Sequence, residues 1–102
     1  MIVTVFRSRL NPETSGDYLH WAARMGGWAQ TIPGYVSHKS FVAEDGERVT
    51  VVEFEHEQGM RAWASHPEHV EAKKLGRKSF FTEYKVQVCS VDRVSQFQGG
   101  AS

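Results

Sequence analysis

The stretch that decides the fold is residues 35–54, YVSHKSFVAEDGERVTVVEF. Its two halves lie on either side of Asp45-Gly46, a dipeptide typical of the tight turn between paired strands. The pattern predicts one strand over Tyr35–Val42 and a second over Arg48–Phe54. We therefore expect a β-hairpin at the centre of the chain.

A strand and a helix are predicted before this hairpin. Ile2–Leu10 reads as a strand whose two faces both begin with apolar residues. Asn11 can accept a bond from a free backbone N–H, and Pro12 suits a first helical position, so we expect a helix to begin there. Apolar residues then recur three and four apart as far as Ile32, and Pro33-Gly34 ends the helix.

Two glycines, Gly26-Gly27, lie inside the predicted helix. Each is less favourable than alanine there by about 1 kcal/mol. We expect them to allow close packing against a neighbouring element, and the alternative is a kink that opens a pocket.

The chain after the hairpin predicts two short helices and a last strand. The first helix covers residues 57–65 and the second covers Pro67–Leu75, which Gly76 is expected to end in a left-handed conformation. The final strand covers residues 80–91. The order is β-α-β-β-α-β, which is the ferredoxin-like α+β arrangement of an antiparallel sheet with helices on one face.

This arrangement leaves one sheet face uncovered, although the first and third strands are apolar on both faces. A second copy of the same sheet is the simplest cover, so we expect a homodimer. We assign residues 1–92 to one domain and expect residues 93–102, which end in Gly-Gly-Ala-Ser, to form a partly disordered tail.

Composition excludes several classes of protein. Lys plus Arg and Asp plus Glu both number 12, so no net field attracts nucleic acid or an acidic membrane. The single cysteine, Cys89, allows no internal disulfide, which fits a reducing compartment. Because no signal-peptide pattern and no apolar run of about 20 residues occurs, we expect a soluble cytoplasmic protein.

Several short motifs carry a family resemblance. They are Pro33-Gly34-Tyr35, Trp63, His66-Pro67-Glu68-His69, Leu75-Gly76-Arg77 and Glu83-Tyr84. On these motifs residues 1–92 resemble the antibiotic biosynthesis monooxygenases (ABM). The resemblance implies a dimeric α+β barrel and a cofactor-independent monooxygenase that oxidises a phenolic or polycyclic aromatic substrate to a quinone with O2. It implies no flavin or metal, since the substrate itself supplies the electrons.

Proteins of a haem-degrading branch of the same fold carry a different set of residues. They have an Asn on the first strand, a Trp on the late helix and a His ten residues after that Trp. The corresponding residues here are Ser8, Trp63 and Lys73. Because the amide and the iron ligand are both replaced, haem degradation is not expected. Two alternatives stay open: a haem or small-aromatic binding protein without turnover, and a histidine-based isomerase or lyase.

Three histidines are candidate catalytic bases: His66, His69 and His38. An ordinary histidine pKa near 6.5 suits proton abstraction at neutral pH. The alternatives are a helix-start residue for His66, a solvated surface group for His69 and a hydrogen-bonded core histidine for His38. A metal site at His66 and His69 is a third possibility, but their spacing matches no zinc signature.

Five residues are candidate substrate contacts: Trp63, Ser8, Tyr18, Phe6 and Trp28. The aromatic rings suit the walls of a flat pocket, with a place in the core as the alternative for Trp63. Ser8 and Tyr18 can hydrogen-bond an aromatic hydroxyl, and each could equally be structural.

Overall fold

The computed structural model describes residues 1–100. The elements in chain order are β1 (Ile2–Leu10), α1 (Ser15–Gln30), β2 (Tyr35–Val42), β3 (Arg48–Phe54), α2 (Glu57–Ala64), α3 (Pro67–Leu75), a π-helical turn (Gly76–Phe80) and β4 (Phe81–Ser90). Residues 91–100 form no helix or strand, and the end of the predicted tail, residues 101–102, lies outside the described residues. Within residues 1–100, no helix has both the length and the apolar character that crossing a membrane requires.

The four strands form one antiparallel sheet in the order β2-β3-β1-β4. The β2–β3 hairpin closes at Gly46, whose φ of 89° lies in the left-handed region that glycine adopts without strain. The Asp45 side chain accepts a hydrogen bond from the Glu47 N–H at 3.0 Å, which holds the turn. The predicted ferredoxin-like α+β fold is confirmed.

Strand register defines a helix side and an open face of the sheet. Residues that pair across an antiparallel sheet share a face, so Thr4, Val52 and His38 lie on the same side. Ala29 of α1 packs with the buried Val52 and Phe54 here, which identifies this side as the helix side. The opposite, open face carries Val3, Val5, Phe41, Val49 and Val51.

The predicted start of the first helix is wrong by three residues. The Asn11 side chain accepts from the Glu13 N–H at 3.0 Å, and its carbonyl accepts from the Thr14 N–H at 3.1 Å. These bonds hold residues 12–14 in a turn, so α1 begins only at Ser15.

The predicted left-handed end at Gly76 is also wrong. Gly76 is right-handed, with φ −58° and ψ −50°, and the chain continues into the π-helical turn. A Cβ at Gly76 would lie 2.7 Å from Cε2 of Phe81, so close packing explains the glycine. Phe80 belongs to the turn, and β4 consequently begins at Phe81.

Candidate functional site

Five of the eight candidate residues fall into two groups near opposite ends of the helix side, and the other three, His66, Trp28 and His38, lie outside both. Ser8 pairs with Arg48, whereas Ile2 pairs with Phe54, the residue on which Trp63 packs. Six residues of β1 separate the two positions, which at about 3.3 Å per residue is roughly 20 Å. The sequence alone did not reveal this separation.

The first group, the Trp63 cluster, consists of Trp63, His69, Phe54 and Met25. The indole Nε1 of Trp63 donates to the Met25 carbonyl of α1 at 3.1 Å. Its ring centre lies 5.9 Å from that of Phe54 and 4.5 Å from that of His69. Trp63 of α2 thus joins α1, α3 and the sheet.

His69 is a strongly perturbed titratable group. Its Nδ1 is buried and has no hydrogen-bond partner among residues 1–100. Burial lowers the pKa of His69 to about 4, the charge of Lys73 acts in the same direction, and the Ala64 backbone opposes both. The imidazole is therefore neutral at neutral pH, and the alternative of a solvated surface group is wrong.

His66 lies elsewhere and serves as a cap. Its Nδ1 accepts from the Glu68 N–H at 3.1 Å at the start of α3, which confirms a helix-start role.

The His66 ring stacks on Trp28, with centres 4.3 Å apart. Trp28 Nε1 donates to the Glu68 carboxylate, which Arg24 also contacts. These residues form a patch where α1 meets α3, next to a 380 Å³ surface cavity lined by Arg24, Gly27, Trp28, Thr31 and Glu68.

His38 is a hydrogen-bonded, half-buried histidine, as the alternative proposed. Its Nδ1 lies 2.7 Å from the Tyr35 hydroxyl, and its ring packs on that of Tyr35. Its Nε2 faces Gly26 of α1. Both nitrogens are therefore close to protein atoms.

The second group, the Ser8 cluster, consists of Phe6, Ser8, Tyr18, Arg48, Phe81 and Tyr84. The Phe6 ring contacts the rings of Phe81 at 5.3 Å and Tyr84 at 5.8 Å, and the Tyr18 ring lies 5.1 Å from that of Phe81. Ser8 is only 2% exposed, and its hydroxyl has no partner in the described part of the chain. Buried hydroxyls are normally paired, so this unpaired one calls for an explanation.

Sequence reasoning missed Arg48 as a candidate. Its Nε is buried and unpartnered within residues 1–100, and its guanidinium carbon lies 5.7 Å from the centre of the Tyr18 ring. Burial raises the pKa of Tyr18 despite the opposing effect of Arg48, so its hydroxyl stays protonated. Strand alternation could have found Arg48, because it shares a face with Thr50 and Val52.

A second cavity, of about 310 Å³, is lined by Arg7, Ser8, Glu47, Glu83, Tyr84 and Lys85. Arg7 and Lys85 pair across the sheet on the open face, and Arg7 binds Glu47 at 2.8 Å. This cavity therefore opens on that face. Trp63 lines neither of the two cavities. No cluster of three or more His, Cys, Asp or Glu side chains suited to a metal occurs in residues 1–100.

Comparison with known proteins places the chain in a family and a fold. No protein-family model matches it. Over 94 residues it is 33% identical to the uncharacterized protein YqjZ of Bacillus subtilis, covering 92% of this chain and 82% of YqjZ.

Solved structures with low sequence identity share the fold. A candidate antibiotic biosynthesis monooxygenase from Deinococcus radiodurans aligns with TM-score 0.84 and 10% identity over 97% of this chain and 100% of its own. SnoaB, a cofactor-independent oxygenase from Streptomyces nogalater, aligns with TM-score 0.75 and 14% identity over 91% of this chain and 94% of its own. The chain therefore belongs to the family of YqjZ and has the fold of the antibiotic biosynthesis monooxygenases.

Proposed function

We propose that this protein is a cofactor-independent monooxygenase that oxidises a phenolic or polycyclic aromatic substrate to a quinone with O2. The observation that carries the proposal is His69, an imidazole that burial keeps neutral and whose ring is stacked against Trp63. A proton acceptor beside a flat aromatic surface is what the first step of this chemistry requires. The activity of SnoaB, which has the same fold, supports the assignment.

In the proposed reaction α3 shifts to admit the substrate ring beside Trp63, because this indole lines neither cavity, and His69 Nδ1 then removes a proton from an activated ring carbon. The resulting carbanion transfers an electron to O2, and the two radicals join in a C–O bond. His69 returns its proton to the peroxide anion. The resulting hydroperoxide then loses water: the O–O bond breaks, the last hydrogen on the same carbon leaves as a proton, and a C=O bond forms. A CH2 group and O2 thus become a carbonyl and one water.

The low pKa of His69 makes it a weak base in the free protein. An aromatic anion formed beside the imidazolium raises that pKa, because opposite charges favour each other strongly in a buried site. Proton transfer therefore depends on bound substrate. The low pKa itself keeps the histidine unprotonated at neutral pH until substrate binds.

We also propose that the active form is a homodimer joined through the open faces. The apolar residues of that face are those a second sheet would cover, and Phe41 among them is 51% exposed in the single chain. The cavity near Arg7 and Glu47 would then lie beside the dimer interface.

The test is oxidation of an anthrone, followed by quinone absorbance and O2 uptake. We expect His69→Gln to lower the rate at least tenfold and His56→Gln, which changes an exposed histidine, to leave it unchanged. No rate above buffer, or an unaffected His69→Gln, would contradict the proposal. Binding without turnover would indicate a carrier, and turnover that persists without O2 would indicate an isomerase or lyase.

A further inference from the structure

Among the described residues, Arg48 is a partly buried cation without a counter-charge. The other arginines of the sheet are paired: Arg7 binds Glu47 at 2.8 Å, and Arg9 binds Asp45 at 2.8 Å and Glu83 at 3.0 Å. No carboxylate lies within 4.0 Å of the Arg48 side chain in the described residues. A partly buried guanidinium without a partner is unfavourable, and an anionic group in contact with it removes that penalty.

Acidic residues close in sequence do not neutralise Arg48. Glu47 precedes it directly, but successive strand residues point to opposite faces, and Glu47 binds Arg7 of the open face. Asp45 is held by Arg9. The helix side around Arg48 therefore keeps a positive charge.

Two further donors belong to the same cluster. Ser8 pairs with Arg48 across the sheet, and its hydroxyl is buried and unpartnered among residues 1–100. Tyr18 packs against the guanidinium and is 9% exposed. A guanidinium, an alcohol and a phenol that share one side of the sheet are the donor set that a carboxylate accepts.

We infer that Arg48, Ser8 and Tyr18 form an anion-binding subsite that holds a carboxylate of the substrate. The inference rests on the proposed function for the aromatic part of the substrate. The substrate class is accordingly an aromatic carboxylic acid.

The experiment compares binding of anthraquinone-2-carboxylate with that of its neutral carboxamide, by titration calorimetry of the whole protein. These probes are already quinones, so their binding is independent of oxidation. We expect the carboxylate to bind at least tenfold more tightly, Arg48→Met to abolish this preference while amide affinity stays, and Arg48→Lys to restore part of it. Ser8→Ala should weaken carboxylate binding severalfold.

Arg61→Met is the matched control, because Arg61 is an exposed arginine of α2 paired with Glu57. It should keep the full preference, and circular dichroism establishes that each variant folds. Equal binding of the two probes, no binding of either, or a preference that survives in Arg48→Met would overturn the subsite. A carboxylate preference in a protein that oxidises no anthrone would leave the subsite standing and remove only the oxygenase.

Discussion

Gly26 of α1 and His38 of β2 are in such close contact that a Cβ on Gly26 would lie 2.8 Å from Nε2 of the imidazole. The neighbouring Gly27 has nothing within 4 Å of the same position. Of the two expectations for this pair, close packing is therefore confirmed for Gly26, and α1 is continuous through both glycines. The contact sets how closely α1 approaches the sheet.

The two glycines should respond to alanine in opposite directions. Gly26→Ala forces His38 or α1 to move and should lower the free energy of unfolding by about 1–3 kcal/mol. Gly27→Ala meets no obstacle and should raise it by about 0.5–1 kcal/mol, because alanine favours the helix. Urea denaturation of both variants tests this, and equal effects would show that His38 does not restrict Gly26.

The burial of His69 should make stability depend on pH. Because its pKa falls from 6.5 in the unfolded chain to about 4 in the folded one, the unfolded chain binds the extra proton between these values. Stability should therefore decrease as pH falls from 6.5 towards 4, by at most about 3 kcal/mol, with no contribution from His69 above that window.

Denaturation at several pH values measures this slope in the original protein and in His69→Gln. The variant should lose most of the decrease, whereas His56→Gln should retain it because His56 is exposed. An NMR titration midpoint for His69 near 6.5 would show that the imidazole is not desolvated.

The Trp63 cluster should contribute more to stability than the Trp28 patch. Trp63→Phe keeps a ring against Phe54 but removes the donor to the Met25 carbonyl, so it should lower the free energy of unfolding by about 1 kcal/mol. Trp63→Ala should lower it by about 3 kcal/mol. Trp28→Phe, at a 39% exposed position, should stay within about 0.5 kcal/mol, and thermal denaturation can rank the three.

The open face should control association. Val5 pairs with Val51 in the middle of that face, so Val5→Asp places a charge where the proposed partner sheet would lie. Val86→Asp is the control, since Val86 is 49% exposed on the helix side of β4. In analytical ultracentrifugation the original protein and Val86→Asp should sediment as dimers and Val5→Asp as a monomer. A monomeric original protein would refute the proposed dimer.

Local sequence predicted most of the fold. The strand patterns on either side of the Asp45-Gly46 turn predicted the bounds of β2 and β3, which are those observed. Errors arose where a side chain hydrogen-bonds a backbone N–H outside the helix, and where close packing rather than a left-handed conformation accounts for a glycine. The Asn11 side chain delays α1, and contact with Phe81 explains Gly76.

The sequence by itself determined the order of strands and helices, because periodicity and turn residues act within a few positions of the chain. Only the tertiary structure decided which candidates meet. Strand register and helix docking placed His69 on Trp63, set Ser8 with Arg48 far from them, and left His66 as a cap. Burial and pairing depend on residues distant in the chain, so no local pattern records that the His69 imidazole is desolvated or that Arg48 has no counter-charge within residues 1–100.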